Sequence, residues 1–294
     1  MKVAIVGPTG VLGRSLVPLL QQQGHTVRAL ARSPEKVEAL FGKEVEAKAC
    51  DLLAADTPEH LAEMLDGCQA VMHIATAIPS DFSAPGAWET TTRLRTEGTQ
   101  RLLKAALEAG LERYIQQSIS LAYPDSGEAW IDEETQLDES PSRESICGPV
   151  IRMESMVRAT HIHDLEWCIL RGGMFVGPGT FQERTAADLL AGREKVPCDG
   201  SNYLSAVHVA DMASACAAAL VRPVAGAILN INAEPLRQGQ YLDGLAQAVG
   251  ARRPNRDPEA PCPPSLRCSN QTARRMLEWE PAHGLYPGYA GAES

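Results

Sequence analysis

The sequence predicts an α/β protein built on a doubly wound parallel sheet, with a small C-terminal lobe. Three observations carry that expectation. Short apolar runs alternate with helix-patterned segments from residue 2 onward, a glycine-rich turn follows the first run, and the rhythm loosens beyond Gly177. KVAIVG reads as a buried strand ended by Gly7. In VLGRSLVPLLQQQG, Val11, Leu16, Leu19 and Leu20 recur at helical spacing. Pro18 falls inside that helix and predicts a mild kink. Gly24 stops the helix, and HTVRALAR is a second strand. VEAKACDL is a third strand, EHLAEMLDG a helix and QAVMHIATA a fourth strand. A long helix is expected over Ala87 to Ala109, followed by ERYIQQSIS and, later, LEWCILRGG as the fifth and sixth strands. Such alternation implies parallel strands joined by crossover helices. Gly148–Pro149 argues against a regular helix between the last two, because a residue before proline avoids the α region.

Past Gly177, FQERTAADLLAGR, ADMASACAAALVR and GQYLDGLAQAVG read as helices, and LSAVHV and AGAILNI as strands. RRPNRDPEAPCPPS is rich in proline and charge and reads as an exposed linker or arm. The expected division is residues 1–176 for the sheet domain, which also receives later segments near 205–231, and 177–294 for a discontinuous substrate-binding lobe. The acidic run at 125–139 reads as a solvated loop.

Composition narrows the function. A net charge of −10 and 5% aromatic residues argue against a nucleic-acid partner. There is no run of about 18 apolar residues to span a membrane, and KVAIVG reads as a strand rather than a signal peptide. Eight cysteines are scattered singly, at 50, 68, 147, 168, 198, 216, 262 and 268, with no CxxC pair. They read as small hydrophobes in a reducing cytoplasm.

Gly7, Gly10 and Gly13 form GxxGxxG between the first strand and its helix. The first glycine allows the sharp turn, the second lets a pyrophosphate approach the backbone, and the third lets helix and strand pack closely. Unpaired N–H groups at the helix start then meet the phosphates, with Thr9 and Leu12 in the same turn. The second strand ends at Ala31 and Arg32, where an acidic residue would select NAD. Arg32 can fork onto a ribose 2′-phosphate or stand as an exposed turn residue, and NADP(H) is favoured over NAD(H). Asp51, beside Leu52 after the third strand, is placed either to accept from an adenine amino group or to cap a turn.

The segments VGPTGVLG, CDL, VMHIATA, EGTQRLLKAALEAGLERYI, ILRGGMFVGPG, AVHVADMA and RRMLEWEPAHGL run in order over residues 2–285. The chain resembles, on these segments, the extended and atypical branch of the short-chain dehydrogenase/reductase superfamily, the epimerase/dehydratase-like proteins. The resemblance implies a Rossmann domain with a small substrate lobe and a bound NAD(P). It also implies that Ala75, Thr76 and Ala77 line the ribose–nicotinamide side and Gly173, Met174 and Val176 the nicotinamide end. A homodimer through the long helix from Ala87 and the helix containing Glu154 is possible on the same analogy.

The resemblance also exposes a departure. Such proteins carry Tyr-x-x-x-Lys, in which the lysine lowers the phenol's pKa for proton exchange at the reacting carbon. Here those positions fall on Ile146 and Val150, or with a shift of two on Gly148 and Arg152. The serine register falls on Ile119, between Ser118 and Ser120, and the helix asparagine is replaced by Arg95. Ser118, Ser120 and Tyr123 remain as candidate catalytic hydroxyls. Arg152 could bind an anion, Asp81 could reach the cleft, and Cys147 could form a wall of it. Packing or surface roles compete for each. His161, His163 and Asp164 read as helix-end charges rather than a metal site, His73 as a core histidine, and Asp211 as the cap of the helix after His208.

The expected function is an NADP(H)-binding oxidoreductase, epimerase or isomerase. It would act on a small carbonyl or hydroxyl compound without the usual tyrosine and lysine, since hydride transfer is the cofactor's chemistry. Alternatives are a non-catalytic NADP(H) sensor for a protein partner, or an enzyme in which the nucleotide is structural.

Overall fold

The first strand, Lys2–Val6 (β1), is apolar at four of five positions and buried at all four, as a strand covered on both faces must be. The computed structural model describes residues 1–79, 84 and 86–288; Asp81 lies outside them. After β1 come Val11–Gln22 (α1), Thr26–Ala31 (β2), Pro34–Phe41 (α2), Glu46–Ala49 (β3), Thr57–Leu65 (α3) and Ala70–His73 (β4). Glu89–Arg93 (α4) runs through a π turn at Leu94–Gly98 into Thr99–Glu108 (α5), then Arg113–Ile119 (β5), Glu144–Ala159 (α6) and Glu166–Gly172 (β6). Met174–Val176 (β7), Phe181–Leu190 (α7), Lys195–Pro197 (β8), Tyr203–Leu204 (β9), Ala206–His208 (β10) and Val209–Val221 (α8) follow. The chain continues through Ala227–Ile231 (β11), Leu236–Arg237 (β12), Gln238–Ala248 (α9), Asn255–Asp257 (β13) and Gln271–Leu277 (α10).

Seven strands form one sheet in the order β11-β6-β5-β4-β1-β2-β3. The pairs β1–β2, β2–β3, β1–β4 and β4–β5 are all parallel. The chain runs outward from β1 to β3 and returns to β4 on the other side of β1. The carboxyl ends of β1 and β4 therefore flank a topological switch point, where sheets of this kind open a crevice for ligands.

The chain divides into two compact units. Unit 1 comprises Met1–Ser118, Glu139–Leu170 and Cys216–Ile228; unit 2 comprises Ile119–Asp138, Arg171–Ala215 and Leu229–Ser294. The segment 119–138, which the sequence reading left in the sheet domain, falls in unit 2. Unit 1 has a core of Val6, Leu30, Leu61, Val71, Leu102, Tyr114 and Ile169 among others. Each fully buried Leu or Ile there contributes roughly 1.5–3 kcal/mol. Unit 2 has its own, smaller cluster around Val176, Val196, Tyr241 and Leu245.

Two expectations are corrected. First, α6 is a regular helix through Pro149. Much of the clash between a proline ring and its predecessor involves that residue's Cβ, which Gly148 lacks. Second, the 252–265 arm is tied down. β13 pairs with β8, and Cys198 is disulfide-bonded to Cys262, 64 residues away in sequence. The six other cysteines are free and buried, as expected. The acidic run is a mostly exposed loop, as expected, with two of its carboxylates tied to backbone amides. Asp125 accepts from the Ser265 amide at 3.1 Å, and Glu133 from the Asn230 amide at 2.9 Å. No helix among the described residues is long and apolar enough to cross a membrane.

Candidate cofactor and substrate site

At the switch point, two of the three glycines are dictated by the chain itself. Gly7 has φ +93, and a Cβ there would stand 2.7 Å from the Ala75 Cα. A Cβ on Gly13 would lie 2.2 Å from the Pro8 carbonyl oxygen. Gly10 is different, because its nearest neighbour, the Gly7 carbonyl, would be an ordinary 3.4 Å away. The space over Gly10 is open to an approaching ligand, as the sequence motif implied. Gly10 also opens α1, with no side-chain cap and no acidic residue in the first turn. The first-turn N–H groups thus keep their capacity for an anion. Leu12 is buried beneath, and the Thr9 carbonyl accepts from Arg14 Nε at 3.2 Å. This cradle fits a dinucleotide's pyrophosphate.

Arg32, exposed just beyond β2, lines a cavity of about 330 Å³ with Cys50, Asp51, Ala54, Asp56, Thr57, His60 and Met64. Arg32 makes no ion pair or hydrogen bond among the described residues. Asp51 does cap a turn, its Oδ1 accepting from the Leu53 amide at 3.0 Å, yet it also lines this cavity. Both readings of Asp51 are therefore compatible. Leu52 is buried, and its side chain packs 3.3 Å from where a Gly98 Cβ would sit.

After β4 the strand pattern stops and the backbone of Ala75, Thr76 and Ala77 runs free of the sheet. Thr91, which sequence reasoning passed over, fixes it by exchanging hydrogen bonds with both the amide and the carbonyl of Ala77. His73 is a buried core histidine as expected, its Nδ1 at 3.1 Å from Gln116 Oε1 and 3.2 Å from Thr99 Oγ1. Its Nε2 is buried without a partner. Desolvation lowers this imidazole to about 4, against the opposing pull of the Gln116 bond.

The three candidate hydroxyls separate. Ser118, at the end of β5 in unit 1, donates to Glu154 Oε1 of α6 at 2.6 Å, with both residues 2% exposed. Glu154 is a charged residue within the buried stripe Cys147, Val150, Met153 and Val157. That break in an apolar pattern was the available signal for it. α6 contains neither tyrosine nor lysine. Arg152 is exposed and pairs with Glu144 at 3.0 Å, and Cys147 is fully buried.

Ser120 and Tyr123 belong to unit 2. Ser120 is buried in the turn that follows β5, near the Cys268 thiol, which burial pushes up to about 11. The Tyr123 phenol donates to Asn230 Oδ1 at 2.9 Å and accepts from Arg171 Nη1 at 2.6 Å, with the guanidinium carbon 4.9 Å from its ring centre. Burial pushes this phenol well above its ordinary range despite Arg171. It is a packed, proton-holding knot.

Gly173, Met174 and Val176 also lie in unit 2. The Gly173 amide donates to the Ile231 carbonyl, and the Met174 amide to Ser205, each at 2.9 Å. A Cβ on Gly173 would stand 2.6 Å from the Ser205 oxygen, and Met174 is exposed. One expectation is reversed nearby. The His208 ring accepts from the Ala210 amide at the start of α8. Asp211 instead receives the amides of Ala282 and His283, at 3.0 Å each. His161 and His163 form a turn after α6, and no metal-ligating cluster occurs among the described residues.

The profile of the NAD dependent epimerase/dehydratase family matches residues 3–232. A 3-diazoavenalumate denitrifying reductase from a Streptomyces species is 30% identical over 313 residues, covering all of both chains. A dihydroflavonol 4-reductase from Hordeum vulgare is 32% identical over 118 residues, covering 38% of this chain and 33% of its own. Among solved structures, a UDP-glucuronic acid 4-epimerase from Bacillus cereus, in complex with UDP-glucuronic acid and NAD, superposes with a TM-score of 0.80. It is 18% identical and covers 97% of this chain and 95% of its own. A dTDP-glucose 4,6-dehydratase from Streptomyces venezuelae gives 0.78 at 22% identity, covering 97% and 93%. These structures share the Rossmann fold. The chain belongs to the NAD dependent epimerase/dehydratase family and is an NAD(P)-dependent oxidoreductase or epimerase.

Proposed function

We propose that this protein is an NADP(H)-dependent reductase or epimerase of a small carbonyl or hydroxyl compound that works without a phenol–ammonium pair. The observation that carries the cofactor preference is Arg32, an exposed guanidinium without a partner among the described residues, lining a cavity at the end of β2. A 2′-phosphate there gains a charge-assisted fork, and no acidic residue of β2 opposes it. The cradle of Gly7, Gly10 and Gly13, the uncapped start of α1, and Ala75 to Ala77 pinned by Thr91 would hold the remainder of the nucleotide in unit 1.

The bound cofactor supplies hydride chemistry; the chain's own residues bind, orient and manage a proton. Ser118 is the hydroxyl we assign to that proton, because its oxygen is hydrogen-bonded to a buried carboxylate. In the oxidative direction the substrate hydroxyl would give its proton to Ser118 Oγ as the serine proton passes to the Glu154 carboxylate, and reduction would run the same relay in reverse. Tyr123 holds its proton too tightly to serve and is assigned a packing role. The reductase named among the relatives supports reduction over epimerisation. The test is oxidation of NADPH in the presence of activated carbonyl and diazo compounds. Turnover with NADPH that is lost in Ser118→Ala supports the reading, and equal turnover in Ser118→Ala would refute the proton assignment.

A further inference from the structure

Arg95 lies in the π turn Leu94–Gly98, where the helical stretch from α4 to α5 carries an extra residue in one turn. The residue is 7% exposed, yet its guanidinium makes no hydrogen bond and no ion pair among the described residues. The other two buried arginines have partners. Arg28 donates to the Met64 and Asp66 carbonyls at 2.9 and 2.7 Å and pairs with Glu46 at 3.0 Å. Arg171 holds the Tyr123 hydroxyl. The titratable group acting on Arg95 is the Cys147 thiol of α6, which is fully buried and no counter-ion. Desolvation draws the guanidinium down to about 10.

A cation taken out of water is costly unless an anion and its hydrogen bonds compensate it. The missing partner is therefore a two-oxygen anion that matches the planar fork. With a net charge of −10, the chain as a whole does not attract anions, so only such a local receptor would. We propose that Arg95 is the receptor for a carboxylate group of the substrate. A carboxylate neutralises one guanidinium one for one. A dianionic phosphate would leave an uncompensated charge beside the fully buried Cys147. The proposal rests on the small-molecule reading above and deepens it by giving the substrate a charge.

Two thermal-melt comparisons test it, using full-length wild type, Arg95→Met and Arg95→Lys with saturating NADPH and without it. Without ligands, Arg95→Met removes an unpaired buried charge and melts higher than wild type by about 2 °C or more, whereas Arg95→Lys stays near wild type. Benzoate and cinnamate raise the melting temperature of wild type but not of Arg95→Met, and benzamide and cinnamamide raise neither. A melting temperature of Arg95→Met below wild type would show a structural partner and overturn the proposal. So would equal responses to acids and amides. The unliganded melts do not involve the cofactor, so failure of NADPH to stabilise any of the three proteins would count against the cofactor reading alone.

Discussion

Ser118 Oγ donates a 2.6 Å hydrogen bond to the Glu154 carboxylate, tying the end of β5 to α6 inside unit 1. General acid–base help is worth roughly 10²–10⁴ in rate, so Ser118→Ala should lower kcat by that order while leaving NADPH affinity unchanged. Glu154→Ala strands a buried hydroxyl and should also destabilise the fold by roughly 1–3 kcal/mol. Steady-state kinetics beside urea unfolding separate the two effects, and unchanged kcat in Ser118→Ala removes the serine from the mechanism.

Arg32→Ala should weaken NADPH binding by roughly 10- to 150-fold, the worth of a charge-assisted hydrogen bond of about 1.5–3 kcal/mol, with NADH binding unaffected. Fluorescence titration of both dinucleotides measures the difference. Equal losses for the two would assign Arg32 a general electrostatic role.

The glycines should differ sharply. Gly24 has φ +80 and open space around it, so Gly24→Ala meets only the left-handed penalty of roughly 1–2 kcal/mol. Gly13→Ala would drive a methyl to 2.2 Å from the Pro8 carbonyl and should cost about 3 kcal/mol or more, with loss of cofactor binding. Denaturant midpoints of the two variants check the order.

His73 gives a pH signature. Its pKa is lowered from 6.5 to about 4 in the folded protein, so the unfolded chain takes up the proton first as pH falls. Stability from a neutral His73 is therefore complete above pH 6.5 and is lost as pH drops toward 4. The loss amounts to about 3 kcal/mol at 1.36 kcal/mol per unit. Unfolding free energies of wild type and His73→Asn across this window should diverge, with the variant flatter.

Much of unit 1 was legible in the sequence because its strands are buried on both faces and its helices are amphipathic, so periodicity and burial coincide. The glycine turn was legible because two of its glycines are sterically compelled by Ala75 and Pro8. The regular α6 was not, since the rule against a residue before proline assumes a Cβ that Gly148 lacks. The π turn at Leu94–Gly98 leaves the sequence pattern of one long helix intact and changes only which face Arg95 joins. The Cys198–Cys262 bond depends on the pairing of β8 with β13, two three-residue strands too short to announce themselves. Glu154 showed only as a charge within the apolar stripe of α6, its partner Ser118 lying 36 residues away, and Thr91 was hidden because the Ala77 backbone it fixes is 14 residues away.

The account stands on the nucleotide held between the Gly7–Gly13 turn and Arg32, and isothermal titration of the purified wild-type chain with NADPH and NADH tests it directly. Saturable binding with NADPH tighter by at least tenfold, about 1.4 kcal/mol, is the predicted result. No saturable heat with either dinucleotide, or NADH binding as tightly as NADPH, would contradict it.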